Sequence, residues 1–163
     1  MPKVYIVLML LLTTFFVNTA NGQVHAGIKF GTASYTDFEL GYTINENLHI
    51  GLNAIPNFGS APNFYGVYVR KSFEPFYLGG IWDRGIRPYL TGTVGYMPEF
   101  KTTTKAGMGG FAGGGFELFI DADGKMTIPL EIGLGKMPSA NIISTAGKVT
   151  NAVYFSAGTR FYF

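Results

Sequence analysis

Residues 153–163 read Val-Tyr-Phe-Ser-Ala-Gly-Thr-Arg-Phe-Tyr-Phe. Apolar side chains occupy the odd positions apart from Thr159, whereas the even positions hold Ser156, Gly158, Arg160 and two tyrosines. Successive side chains of a β-strand point to opposite faces of the sheet. The stretch therefore predicts a strand with one apolar face and one polar face that carries a charge.

The same two-residue alternation recurs through the chain after residue 23, and no long segment shows the 3.6-residue period of a helix. Turn-forming residues separate several of the alternating segments, as at Asn45–Asn47 and at Asp121–Gly124. The pattern predicts eight strands, at about 24–32, 37–44, 48–54, 65–70, 87–96, 108–120, 126–135 and 153–163. This is an all-β chain, and an up-and-down antiparallel barrel is the simplest way to close it.

Charged residues within these strands share the polar face, and the apolar face is almost free of them. Exceptions such as Lys71 and Lys136 lie at strand ends, where a long side chain reaches the membrane interface. Four cations facing lipid would cost about 8–16 kcal/mol near the bilayer midplane. The polar face is therefore predicted to line the interior, with a lumen charge network of Lys29, Glu39, Arg70, Arg87, Glu117, Glu131 and Arg160. Glu131 and Arg160 are expected to lie near each other across the last two strands, with their charged groups within about 8 Å.

Residues 1–22 have the features of a cleaved secretion signal. Lys3 precedes a mostly apolar run from Val4 to Val17, and small polar residues follow it. The run is shorter than the roughly 20 apolar residues that a spanning helix needs, so a permanent helical anchor is the weaker interpretation. Cleavage near Ala20 or Gly22 leaves residues 23–163 as one domain. The chain has no cysteine, which excludes a disulfide framework and a lipid-bearing cysteine.

The composition fits a membrane barrel better than a soluble domain. The full chain has 12 basic and 10 acidic residues, and removal of the leader takes away one basic residue, Lys3. The mature chain is therefore nearly neutral, and no nucleic-acid partner is expected. Aromatic residues make up 16% and charged residues 13%, yet no second long apolar run occurs. Such a balance is typical of strands whose lipid-facing residues alternate with polar ones.

The segments between strands alternate in length. Those at 45–47 and 121–124 are short, whereas 56–63, 98–106 and 138–150 are longer. With both termini in the periplasm, the longer segments become extracellular loops and are the expected place for an external partner. Two connections depart from this rule: 34–36 is short, and 74–85, which contains Trp82, is long.

Two stretches resemble a known family. Residues 87–96, Arg-Pro-Tyr-Leu-Thr-Gly-Thr-Val-Gly-Tyr, are similar to a strand common in OmpA-like and OmpX-like barrels and in the broad outer-membrane β-barrel domain family. The terminal Phe161 and Phe163 resemble the C-terminal assembly signal of bacterial outer-membrane barrels. The resemblance covers 24–163 as a pattern and implies a transmembrane barrel in the bacterial outer membrane, surrounded by lipid and inserted by the barrel-assembly machinery.

Function is less constrained than fold. We expect a non-enzymatic barrel with a polar, largely plugged lumen and a structural or surface-interaction role. The alternatives are a narrow pore for small solutes, a lipid A-modifying enzyme, and a soluble lipocalin-like carrier with an apolar interior.

No catalytic, metal or cofactor site is predicted. The two histidines, His25 and His49, are expected to line the lumen because neither has an evident nucleophile partner in the sequence. The glycine run at 107–115 lacks the Gly-Lys-Ser/Thr ending of a phosphate loop, and Asp121–Gly124 lacks the ligand spacing of a calcium loop.

Overall fold

The computed structural model describes residues 23–31, 36–56, 63–79, 82–99, 106–136 and 152–163. The proposed leader and most of the three longer loops lie outside this set. In the described part of the chain, no helix is long and apolar enough to cross a membrane. The strands are β1 Val24–Gly31, β2 Thr36–Asn45, β3 Leu48–Ile55, β4 Phe64–Ser72, β5 Phe76–Leu78, β6 Trp82–Met97, β7 Gly107–Phe119, β8 Met126–Lys136 and β9 Ala152–Tyr162.

Eight of these strands form a closed ring. Each strand pairs antiparallel with its neighbours, β4 pairs with β6, and β1 pairs with both β2 and β9. The last strand therefore meets the first, and Phe163 N donates to Val24 O at 2.8 Å beside this junction. The predicted eight-stranded antiparallel up-and-down barrel is confirmed.

The connection at 74–85, which the sequence marked as long without assigning it a strand, contains β5. β5 pairs with the beginning of β6, with Phe76 opposite Ile86 and Leu78 opposite Trp82. The two strands form a hairpin that continues past the end of β4. All three residues of β5 are exposed, because the hairpin extends beyond the ring and has no enclosed face. An alternating pattern therefore does not develop, and the sequence gives no strand signal there.

The two faces of the ring have opposite chemistry. Outward apolar side chains such as Val67, Leu134 and Val153 are 57–60% exposed. By contrast, Arg70 and Glu117 in the interior are 0% exposed. An apolar exterior around a charged interior is the arrangement of a barrel whose solvent is lipid. It contradicts the lipocalin-like alternative, which needs an apolar interior.

The two ends of the barrel are also different. At one end, which we name the turn end, the chain enters β1 and leaves β9. The β2–β3 turn there is closed by Asn45 Oδ1, which accepts hydrogen bonds from Asn47 N and Leu48 N, both at 3.0 Å. In the β7–β8 turn, Asp121 Oδ1 accepts from Met126 N at 3.0 Å. The opposite end, which we name the loop end, carries the three longer loops.

Candidate functional site: the buried ion network

Lys29 is surrounded by three carboxylates inside the barrel. Its Nζ lies 2.7 Å from Glu39 Oε1, 3.2 Å from Glu131 Oε2 and 3.5 Å from Asp37 Oδ2. The barrel register accounts for two of these contacts, since β1 pairs Lys29 with Asp37 and places Glu39 opposite Gly27. Glu131 comes from β8, so the ammonium group joins strands that are not neighbours.

Arg160 connects this cluster to a second one nearer the turn end. Its Nη2 lies 2.6 Å from Glu39 Oε2, and its Nη1 forms an ion pair with Glu117. Glu117 also faces Arg70, whose Nη1 is 3.6 Å from Glu117 Oε1. The chain of opposite charges therefore runs without a break from Asp37 to Arg70.

Tyrosine hydroxyls occupy much of the remaining hydrogen-bonding capacity of the carboxylates. Glu131 accepts from Tyr89 at 2.9 Å and from Tyr154 at 2.5 Å. Glu117 accepts from Tyr162 at 2.9 Å, and the Tyr162 hydroxyl accepts from Arg70 Nη2 at 3.0 Å. Rings from β6 and β9 thus fill the lumen and bind the charges together.

Inward-facing glycines make room for these large side chains. A Cβ atom at Gly41 would collide with the Tyr68 hydroxyl and the His25 ring, and one at Gly113 would meet the Tyr154 hydroxyl at 2.5 Å. An eight-stranded barrel is only just wide enough for its interior side chains. Glycine on one wall is therefore what lets a tyrosine or histidine reach across from another.

The ion network, which we define as Asp37, Lys29, Glu39, Glu131, Arg160, Glu117 and Arg70, is almost completely buried. Its members are 0–8% exposed. Moving an ion out of water costs several kcal/mol, and only close pairing with added hydrogen bonds compensates for that cost. Three cations face four carboxylates in direct ion pairs. Such a network favours one geometry, because removing a single member leaves its partners buried and unpaired.

The structure brings together six of the seven residues predicted for the lumen network. Arg87 is not among them: its guanidinium carbon lies 4.8 Å from the centre of the Phe119 ring, near the turn end. Asp37 takes part although it was not predicted, because its position directly opposite Lys29 depends on the β1–β2 register. The alternating pattern identifies a face but not a height along the barrel.

Glu131 and Arg160 were expected to contact each other, and the structure gives them different partners. The β8–β9 register pairs Glu131 with Ser156 and Arg160 with Thr127. This is an offset of four residues, or about 13 Å along a strand. The two charges are connected only indirectly, through Lys29 and Glu39.

A second group of polar residues fills the interior at the turn end. We call His25, Thr43, His49, Tyr68 and Ser72 the histidine layer. His25 Nε2 is hydrogen-bonded to Tyr68 Oη at 2.6 Å, and His49 is bonded to Thr43 Oγ1 at 2.9 Å and to Ser72 Oγ at 3.2 Å. The two imidazole rings meet edge to face at 5.4 Å.

Ser72 and His49 form a nucleophile–base pair that the sequence did not reveal, since they come from different strands. Ser72 is 0% exposed and His49 is 1% exposed. The second imidazole nitrogen meets the Thr43 hydroxyl instead of a carboxylate, so the orienting acid of a hydrolytic triad is missing. Among the described residues, no group of three histidine, cysteine, aspartate or glutamate side chains is suited to hold a metal ion.

Aromatic rings and a small cavity lie above the ion network toward the loop end. Phe64, Phe111 and Tyr154 stack edge to face, with ring centres 5.3 and 5.6 Å apart. A cavity beside Lys29 and Asp37 has a volume of about 10 Å³. Such a space holds about one water molecule. Side chains of the described residues therefore occupy the interior at three successive heights.

Comparison with known proteins agrees with this geometry. No protein-family model matches the chain, and no curated protein matches its sequence. The N-terminal β-barrel domain of Pseudomonas aeruginosa OprF superposes on it with a TM-score of 0.54 at 11% identity, over 87% of this chain and 96% of that domain. The chain has the fold of a small outer-membrane β-barrel. A de novo designed transmembrane β-barrel also matches, with a TM-score of 0.50 at 13% identity, over 90% of this chain and 98% of the design.

Proposed function

We propose that this protein is an integral outer-membrane barrel whose lumen is closed, and that it acts as a structural or surface-interacting element without catalysing a reaction. The observation that carries the proposal is the ion network, which crosses the lumen and is almost completely buried. A permeant solute would have to separate these ion pairs. Truncating one partner of a buried pair typically costs about 3–5 kcal/mol, so an open lumen would be rarely populated.

The proposed location in the outer membrane rests on the leader and on the apolar exterior of the barrel. Residues 1–22 direct export and are removed, and the turn end then faces the periplasm. Phe161 and Phe163 end the last strand with exposed aromatic rings, 43% and 76% exposed, and would be read during assembly by the barrel-assembly machinery. An external partner would contact the loops at 56–63, 98–106 and 138–150.

Planar-bilayer recording tests the closed lumen. The folded mature chain, confirmed by heat-modifiable migration on a gel, is added to a bilayer at fixed voltage. We expect no reproducible single-channel steps. Discrete steps of constant size from the folded fraction would overturn the proposal in favour of a narrow pore.

Lipid analysis tests the non-enzymatic role. The full chain and the variant Ser72→Ala are expressed in a Gram-negative host, and lipid A from both cultures is compared by mass spectrometry with that of cells carrying no copy. We expect the same masses in all three samples. A new lipid A species that depends on Ser72 would show that the Ser72–His49 pair is an active site.

A further inference from the structure

A shallow apolar groove runs across the outer wall of the barrel. Its volume is about 1110 Å³, and the strands β1, β9, β8, β7 and β6 contribute to its lining. The lining also includes inward-facing residues such as Glu131 and Ser156. Each of them lies between two outward-facing residues that line the groove. The groove is therefore on the lipid side of the wall and is separate from the ion network.

The register shows the direction of the groove. One residue from each of the strands β1, β9, β8, β7 and β6 pairs with the next to form a continuous row across the wall. Phe73 extends this row, because its N donates to Pro88 O at 2.9 Å. The row consists of Phe30, Ala157, Leu130, Phe116, Pro88 and Phe73. Six positions separated by five strand spacings extend over about 24 Å. Because Phe30 lies near the loop end and Phe73 near the turn end, the groove crosses the wall diagonally.

Small outward-facing residues create the depression. Ala157 is exposed between larger neighbours, and at Gly114 on β7 a methyl group of Leu90 lies over the backbone. Phe30, Phe116 and Phe155 stand around these positions. The floor is therefore backbone and methyl groups, and aromatic rings form the sides.

A cation lies at one end of the groove. Lys71 precedes Phe73 by two residues on the outward face, pairs with Leu90 across the β4–β6 ladder, and is exposed. It makes no salt bridge with any described residue. A lysine at the edge of the apolar band is well placed to meet an anionic headgroup while the groove meets hydrocarbon.

We propose that this groove binds one acyl chain of a glycerophospholipid from the leaflet at the turn end, with Lys71 at the headgroup phosphate. This inference rests on the proposed membrane location. The row of lining residues extends over about 24 Å, which is long enough for most of an extended acyl chain. The bound lipid would be a fixed component of the wall and would exchange more slowly than its neighbours.

Native mass spectrometry of the delipidated mature chain with added phosphatidylglycerol tests the proposal. Ala157→Phe fills the floor of the groove, and Ala112→Phe is the matched control, because Ala112 is an exposed outward alanine outside the lining. We expect Ala157→Phe to weaken lipid retention about tenfold and Ala112→Phe to leave it unchanged. Lys71→Gln should weaken retention about fivefold. Equal retention by all variants would show nonspecific annular lipid and overturn the proposal.

A second measurement does not depend on the bulky variant folding. A photoreactive benzoylphenylalanine replaces Leu130 in the groove or Leu134, which is outward and 60% exposed but outside the lining. The proposal predicts lipid adducts mainly at position 130, and phosphatidylglycerol rather than lipid A in the adduct. Equal adducts at both positions, or lipid A alone, would contradict it. Either result is distinguishable from failure of the membrane assignment, since heat-modifiable migration reports barrel insertion separately.

Discussion

The ion network and the histidine layer fill the same lumen in different ways. The network joins distant parts of the chain by charge, as where Arg160 on β9 meets Glu39 on β2, 121 residues earlier. The histidine layer uses neutral hydrogen bonds and connects a shorter stretch of chain, as where His49 bonds to Thr43 and Ser72. A neutral bond lost in the interior costs about 1–3 kcal/mol, and a broken buried ion pair costs more. The comparison indicates that the network contributes more to the stability of the closed barrel, whereas the histidine layer mainly fills its end.

Removing the carboxylate shared by two arginines should have the largest effect on stability. Glu117→Gln leaves Arg70 and Arg160 buried with less compensation, and we expect a loss of about 3–5 kcal/mol in the free energy of unfolding. Urea unfolding of the barrel in lipid vesicles measures it. Glu74→Gln is the matched control, because Glu74 is exposed near the hairpin. A loss of stability no larger than that of the control would remove the distinction between the ion network and the histidine layer.

A double-mutant cycle tests whether the partners are assigned correctly. Lys29→Met and Glu131→Gln remove two groups whose charged atoms lie 3.2 Å apart. Their effects on unfolding should fall short of additivity by about 1–3 kcal/mol. The cycle of Glu131→Gln with Arg160→Met should show a smaller coupling, since no direct contact joins those groups. A larger coupling for Glu131 with Arg160 than for Glu131 with Lys29 would support the direct contact expected from the sequence.

A change in the histidine layer should cost less than a change in the network. His25→Phe approximately keeps the ring volume but leaves the Tyr68 hydroxyl without its hydrogen-bond partner Nε2. We expect a loss of about 1–2 kcal/mol, measured by the same urea titration. If His25→Phe destabilised the barrel as strongly as Glu117→Gln, the histidine layer would be equal to the network in holding the barrel together.

Arg87 should give the smallest effect, because it contacts a ring and no carboxylate in the described structure. The variant Arg87→Gln loses the cation–π contact with Phe119, which is worth about 0.5–1 kcal/mol at a partly exposed site. Vesicle unfolding again provides the measurement. A loss above that of His25→Phe would place Arg87 in the ion network after all.

Sequence alternation predicted most of the barrel because it reports burial directly. β8 shows this clearly: Leu130 and Ile132 face outward and Glu131 between them is buried, as expected. β5 was missed for the same reason. The Phe76–Leu78 segment has no enclosed face, so no alternation is required there.

The site was predicted less completely than the fold. Alternation placed Lys29, Glu39 and Arg160 in the lumen, but their partners depend on the stagger between strands. Asp37 joins the network because its register places it opposite Lys29, whereas Arg87 lies opposite Glu117 but places its guanidinium over the Phe119 ring. Ser72 meets His49 only once β3 and β4 are paired, so no short motif could have identified the contact.

The central claim is that an apolar, lipid-facing wall encloses a charged interior. Its most direct test is a single-cysteine scan of β9 in lipid vesicles. The chain has no native cysteine, so a spin label can be placed at one position at a time. Oxygen, which is concentrated in lipid, should reach labels at 153, 155, 157 and 161 and should be excluded at 154, 156 and 160. High oxygen access at the even positions, or equal access at all of them, would contradict a charged interior enclosed by a lipid-facing wall.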